Sequence, residues 1–291
     1  MKILNTIAIL FVALFGYTQM AGATAAPLPI IHSSSSSALN EIDIFADNMG
    51  SASKGGMADA GMATQTSSVT PFGIWIAGET HNLSGPFVAD FDGNEAAIAL
   101  ETQISPNVLV GLGLSHQSYS RQSESFTVKS VAPYLSFNGP NGFGLDAMVV
   151  VGDLDGYWTE PLLFDRESYY VKLRAGKFDL GGFQAVPFIS YSDSEIGNSS
   201  VYAAEIQRLL VGADVKLSTG SWDTFLKLAY SDLSGREVTP GILTYEETGP
   251  LVKLGTYGQL GNGTLKLEMG YERHLRDVRD LSLSASFGFP F

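Results

Sequence analysis

The sequence contains no cysteine. That excludes disulfides, thiol catalysis and Cys-type zinc sites. Charge is also scarce: Asp, Glu, Lys and Arg make up 16% of the residues, where about a quarter is usual in a soluble protein. The charge present leans negative, with 17 Lys and Arg against 30 Asp and Glu. A formal charge of −13 leaves no basic face for nucleic acid, so that partner is excluded. Beyond the N-terminus no stretch reaches the roughly 20 apolar residues of a membrane helix. There is no P-loop, no dinucleotide fingerprint and no G-x-S-x-G. His32, His81 and His274 have no metal-ligand spacing around them. The acidic runs "DGNE", "LFDRES" and "SDSEIGN" lack the spacing of a calcium loop. No metal and no cofactor is expected.

The one apolar run lies at the start. "MKILNTIAILFVALFGYTQMAGATAAPLP" has Lys2, an apolar core from Ile7 to Phe15, and then Ala23 and Ala25 in A-x-A spacing. It reads as a Sec-type signal peptide over 1–25, cut after Ala25 or alternatively Ala23. If the mature chain enters a membrane, it must do so with strands.

Residues 26–70 have a texture of their own. "SSSSS" at 33–37 reads as low-complexity linker. In "ALNEIDIFADNMG", Leu39, Ile42, Ala46 and Met49 share a helical face, and Gly50 stands where a C-cap belongs. "SASKGGMADAGMATQ", at 51–65, is too poor in bulky side chains to build a soluble domain and suits a slim helix or an ordered plug. A disordered linker is the competing reading, favoured by the glycines at 55, 56 and 61.

From 71 to 291 the pattern is alternation. Val108, Val110, Leu112 and Leu114 share a face; Leu209, Val211, Ala213, Val215 and Leu217 oppose Arg208, Gly212, Asp214 and Lys216; Leu265, Leu267, Met269 and Tyr271 oppose Thr264, Lys266, Glu268 and Gly270. Aliphatic residues on one face and charges on the other match the apolar-out, polar-in strands of a membrane barrel. A sandwich alternates too, so the connections matter. Tight Gly, Asn and Pro turns at 105–107, 138–142, 179–182, 218–221 and 260–263 alternate with looser polar loops near 81–90, 121–125, 158–166, 193–199, 233–243 and 274–279. Together they join about twelve strands, with short turns on one side. Tyr119, Tyr157, Trp158, Tyr169, Tyr191, Tyr230 and Tyr271 fall at the loop ends; Phe137, Phe143, Phe178, Phe183, Trp222, Phe287, Phe289 and Phe291 fall at the turn ends. Two aromatic bands suit two membrane interfaces. The expected fold is all-β, an antiparallel transmembrane barrel of about 12 strands over 71–291, with a secreted sandwich as its rival. The closing "LSLSASFGFPF" would face lipid with Leu281 through Phe291 and seal against the first strand.

The alternation turns a set of charges inward: Glu95, Glu101, Asp146, Lys172, Arg174, Arg208, Asp214, Lys216, Lys227, Lys266 and Glu268. Mixed signs suit cross-strand pairing in a hydrated lumen. Such a lining is either ordinary filling or a track for an exported segment. Lys54 on the slim segment could pair with one of its carboxylates.

These residues resemble the β-domain of autotransporters, outer-membrane translocator barrels of twelve strands. "GIWIAGETHNLSG", "DGNEAAIALETQISPNVLVGLGLSHQSYS", "SVAPYLSFNGPNGFGLDAMVVVG" and the closing "SASFGFPF" carry the resemblance. It implies a linker helix threading the barrel before the first strand, a place that "SASKGGMADAGMATQ" would take: its small side chains suit a narrow lumen, and about 16 helical residues span roughly 24 Å, close to the barrel's apolar band. It also implies a C-terminal signature at Phe287, Phe289 and Phe291, read by the barrel-assembly machinery. Periplasmic chaperones during biogenesis, and outer-membrane lipid and lipopolysaccharide afterwards, would be the partners. The location would be the outer membrane of a Gram-negative bacterium, after Sec-dependent export. The departure is at the N-terminus, where about 45 residues separate the expected signal peptide from the barrel and a conventional long passenger is not expected.

Another twelve-stranded barrel, the outer-membrane phospholipase, uses a His-x-Ser pair on an outer strand face. His116 and Ser118 share that spacing and continue the lipid-facing series. Tyr119 follows, however, and Asn138 and Asn141 lie at the opposite edge, so nothing orients the His. No enzyme is expected. The function expected is a hydrated path for export or display of the short N-terminal segment. A passive solute pore is the alternative, and a lipid hydrolase a more remote one.

Overall fold

The computed structural model describes residues 28–52, 72–85, 91–121, 124–157, 161–197, 202–218, 222–238, 242–274 and 277–291. The expected signal peptide and the stretch 53–70, including Lys54 and most of the slim 51–65 segment, lie outside the described residues, as does Trp158. A single helix among the described residues, α1 (Leu28–Ala46), precedes the sheet. Twelve long strands follow: β1 (Phe72–Ser84), β2 (Phe91–Ser105), β3 (Val108–Arg121), β4 (Glu124–Asn138), β5 (Gly144–Tyr157), β6 (Pro161–Arg174), β7 (Phe183–Gly197), β8 (Tyr202–Ser218), β9 (Trp222–Val238), β10 (Ile242–Leu260), β11 (Gly263–Arg273) and β12 (Arg279–Pro290). A two-residue ribbon, Phe178–Asp179, decorates the connection between β6 and β7.

Each strand pairs antiparallel with the next, and β12 returns to β1 in a register running from Gly73↔Pro290 to Ser84↔Arg279. The Phe291 N–H donates to the Phe72 carbonyl at 3.1 Å, extending the seam to the last residue. The sheet is therefore a closed barrel, with no free edge to recruit another chain. Closure satisfies the backbone without water, as a spanning structure requires. The β4–β5 ladder skips Ala132 and Pro133, where proline has no N–H to give.

The outer face is aliphatic across the middle of the strands: Ile98, Leu112, Leu114, Val211, Leu228, Leu254, Leu267 and Leu283 are exposed. Tyr191, Tyr230 and Tyr271 stand above this band, and Phe143, Phe178, Phe183, Trp222 and Phe291 below it, all exposed. Tyr119 departs from the expected upper band. It is fully buried in the lumen, stacked on Phe126 at 4.9 Å between ring centroids. Its position is odd in the series 108–118, and one residue of offset reverses a strand side chain's face.

The contrast of short turns and long loops is weaker than the sequence suggested. Much of 158–166, 193–199 and 233–243 is paired strand rather than loop. A spanning strand needs about 9–11 residues, whereas β8, β9 and β10 have 17, 17 and 19. They project beyond the apolar band as hairpins, because ladder hydrogen bonds form in water as well as in lipid. At the other end the β4–β5 turn holds Asn141 at φ 58° and Gly142 at φ 83°, left-handed conformations that these residue types tolerate.

Inside the barrel lies α1. From Ser34 to Ala52 every residue is buried except Ala46, which is half-buried. The segment the sequence marked for the lumen, 51–65, contributes Ser51 and Ala52 there; the helix lies upstream and includes the serine run. Serine is a middling helix former, but its small side chain fits a crowded lumen. Ser37 donates to the Ser34 carbonyl at 2.9 Å, a local bond that substitutes for water.

Candidate functional site in the barrel lumen

A surface helix hides one apolar face and shows one polar face. From Ser34 onward both faces of α1 are covered by the wall. Its Ile42 and Phe45, with Met49 of the turn that follows, pack with Trp75, Ala97, Leu109 and Tyr134. Phe45 meets Trp75 edge-on, with centroids 5.8 Å apart. The polar side chains meet charge instead, and they do so in sequence along the helix.

Toward the loop end of the barrel, Ser37 accepts from Gln117 through its carbonyl at 3.0 Å and from Arg166 through its hydroxyl at 3.1 Å. The Asn40 amide reaches Tyr119 and His81, both at 3.1 Å, and His81 pairs with Asp280 at 2.9 Å. Glu41 takes the Arg166 guanidinium and the Ser115 hydroxyl. Two residues further, Asp43 pairs with Arg208 at 2.5 Å, and Arg208 also holds Glu272 at 3.0 Å. Below that, Asp47 pairs with Lys227 and, at 2.7 Å, with Lys253, while Lys266 donates to the Asp47 carbonyl at 3.4 Å. At the turn end, Glu101 accepts from the Gly50 N–H at 2.5 Å, the Ala52 N–H at 3.3 Å, Trp75 at 3.2 Å and Tyr134 at 2.9 Å. Gly50 has φ 80°, the left-handed turn expected after a helix, and this turn aims two backbone N–H groups at one carboxylate.

Each lumen charge singled out from the alternation is buried inside the barrel: Glu95, Glu101, Asp146, Lys172, Arg174, Arg208, Asp214, Lys216, Lys227, Lys266 and Glu268. They divide by partner. Glu101, Arg208, Lys227 and Lys266 bind the helix segment. Arg174 forks onto Asp146 at 2.9 and 3.0 Å, Lys172 pairs with Asp214 at 3.0 Å, Lys216 with Asp223 at 2.8 Å and Lys266 with Glu268 at 3.0 Å. Glu95 accepts from Gln117 at 2.8 Å. These contacts are within the wall, and all but Lys266–Glu268, which lie two apart on β11, join different strands.

Several residues escaped the sequence reading: Arg166, Lys253 and Glu272 on the wall, Glu41 and Asp43 on the helix, and Asp47 just past its end. Lys253 lies between outward Val252 and Leu254 and was reachable by parity. Arg166 was hidden in a run read as loop. The carboxylates at 41, 43 and 47 had no visible partner until the barrel closed around them.

The helix fills the space it occupies. A lumenal cavity between Asn40, Asp43, His81, Lys253, Glu272 and Asp280 measures about 10 Å³, about the room of a single water. Phe287, Phe289 and Phe291 form a row at the turn end, with centroids 5.8 and 6.3 Å apart. His116 is exposed and Ser118 half-exposed on the outer face. Ser118 stands opposite Asn94 on one side and Thr127 on the other, and His116 opposite Lys129.

Solved structures resemble this barrel. The β-domain of the Bordetella autotransporter BrkA superposes with a TM-score of 0.61 at 13% identity, over 76% of this chain and 99% of that one. The translocator domain of the autotransporter NalP from Neisseria meningitidis superposes with a TM-score of 0.59 at 12% identity, over 92% of this chain and 100% of that one. No protein-family model matches the sequence, and no curated protein matches it.

Proposed function

We infer from the fold it shares with autotransporter β-domains that the chain is a twelve-stranded outer-membrane barrel of the Gram-negative type. From this premise we propose that it is a plugged barrel that holds and displays its own N-terminal segment, with α1 as both plug and stalk. The observation that carries this reading is the direction of the helix. Ser37 and Asn40 sit among loop-end residues of β1, β3 and β6, whereas Gly50 and Ala52 sit on Glu101 and Trp75 at the turn end. With short turns on the periplasmic side, the N-terminus of α1 points out of the cell. The stretch 53–71 then joins two points at the periplasmic end, Ala52 and Phe72.

The chain lacks cysteine, so single cysteines report location without background. Leu28→Cys, at the head of α1, should react with a membrane-impermeant maleimide on intact cells. Thr66→Cys should react only after the envelope is permeabilised. The reverse pattern, or protection of the Leu28→Cys thiol in both conditions, would defeat display. A passive pore is the second reading. It draws on the wall pairs that exist without the helix, Lys172–Asp214 and Arg174–Asp146, which would leave a polar channel if α1 withdrew.

A further inference from the structure

The charges in the lumen are not mixed evenly around the barrel. Among the described residues, every buried Lys and Arg lies on β6 to β11, while β12, β1 and β2 bring Asp280, Glu79, Glu95 and Glu101 and no buried Lys or Arg. The segment in the lumen is matched to this asymmetry. Residues 28–52 contain Glu41, Asp43 and Asp47 and neither Lys nor Arg. All three carboxylates turn to the basic side, onto Arg166, Arg208, Lys227 and Lys253. The acidic side meets donors instead: Glu101 takes the backbone N–H groups of Gly50 and Ala52. Arg166 is completely buried, and among the described residues Glu41 is the one carboxylate it pairs with. A buried guanidinium without a carboxylate is costly, so the wall is incomplete until an acidic segment enters.

The match has a direction as well. The lysines gather where α1 ends, and Lys266 reaches the backbone carbonyl of Asp47 as well as Glu268. A helix C-terminus carries partial negative charge and favours cations. An inverted helix would bring its N-terminal N–H groups to these lysines and its carbonyls to Glu101.

We propose that the lumen is a directional receptor for one class of segment: a slim helix with carboxylates at i, i+2 and i+6, free of Lys and Arg, held with its C-terminal end at the periplasmic mouth. This rests on the reading of α1 as a plug and adds what the barrel selects. A lumen that merely encloses whatever chain precedes β1 would tolerate any charge there.

The test uses the full-length protein in planar bilayers. Glu41→Gln, Asp43→Asn and Asp47→Asn together keep the size of α1 and remove its charge. This variant should open, raising mean conductance roughly tenfold or more, because four buried cations, Arg166, Arg208, Lys227 and Lys253, each lose a carboxylate partner. A soluble peptide with the sequence of residues 28–52 should close it again, and the same peptide with the three amide side chains should not. Because changes at several buried sites can impair folding, a single exchange stands beside them. Glu41→Arg should open the barrel, and adding Arg166→Glu should return conductance to near the native level. A triple variant as closed as the native protein would overturn the receptor, leaving steric filling as the whole account. Equal block by both peptides, or an exchange pair as open as Glu41→Arg alone, would overturn it too. None of these outcomes alters the maleimide labelling of Leu28→Cys, so the receptor and the display reading fail separately.

Discussion

The same strands present two surfaces that obey different rules. Outside, Leu112, Leu228, Leu254 and Leu267 face lipid, where one apolar side chain replaces another at little cost. Inside, Glu101 gathers four donors and Arg208 bridges two carboxylates from different elements, and no substitute has the same reach. The outer face is specified by class of residue and the inner face by identity. The difference arises because lipid makes no directional bonds, whereas a water-poor lumen penalises each unpaired polar group.

The largest effect that would sharpen this contrast is expected at Arg208. Arg208→Ala leaves Asp43 and Glu272 buried without their shared cation, which should cost about 3–5 kcal/mol. Hydrogen exchange would register it as lost protection of the α1 amides, with strand amides less affected. On the lipid side, Leu267→Arg should cost about 2–4 kcal/mol near the midplane, whereas Leu267→Ile should leave unfolding from vesicles unchanged. If Leu267→Ile proved as damaging as Leu267→Arg, the outer face would also require identity and the contrast would break.

A middle case is Gly113. A Cβ placed there would lie 2.2 Å from the Phe45 ring. Gly113→Ala should therefore push α1 from its seat at an overpacking cost of about 1–3 kcal/mol, again read by exchange of α1. The smallest effect is expected at the terminus. Phe291 is exposed, and its hydrogen bond to Phe72 uses the backbone, so Phe291→Ala should change stability in vesicles by less than about 0.5 kcal/mol. If the terminal aromatic row is read during assembly, the yield of folded barrel in cells should fall all the same.

Much of this was legible before any coordinates. A period of two across 71–291 placed Lys172, Asp214 and Glu268 inside and Leu112 and Leu283 outside, because alternation records the two environments directly. The strand ends were harder. Arg166 and Glu237 lie in runs read as loops, 158–166 and 233–243, yet both are buried on strands, and polarity does not tell a solvated hairpin from a coil. The helix was the least legible part. Serines at 33–37 are only middling helix formers, and what orders them is a wall assembled from residues such as Gln117 and Arg166, some 80 and 129 positions away. Local propensity contains no trace of such partners. Tyr119 shows the complementary limit: its chemistry suggested the interface, and only its parity, set against Ser118 and Ser120, placed it inside.

Closure of the lumen by α1 is tested most directly by single-channel conductance. Native full-length protein should hold planar bilayers nearly closed. The same chain with residues 28–52 removed should conduct steadily through an open, polar barrel. Equal and open conductance from both proteins would contradict the account, because the helix would then not be what fills the barrel.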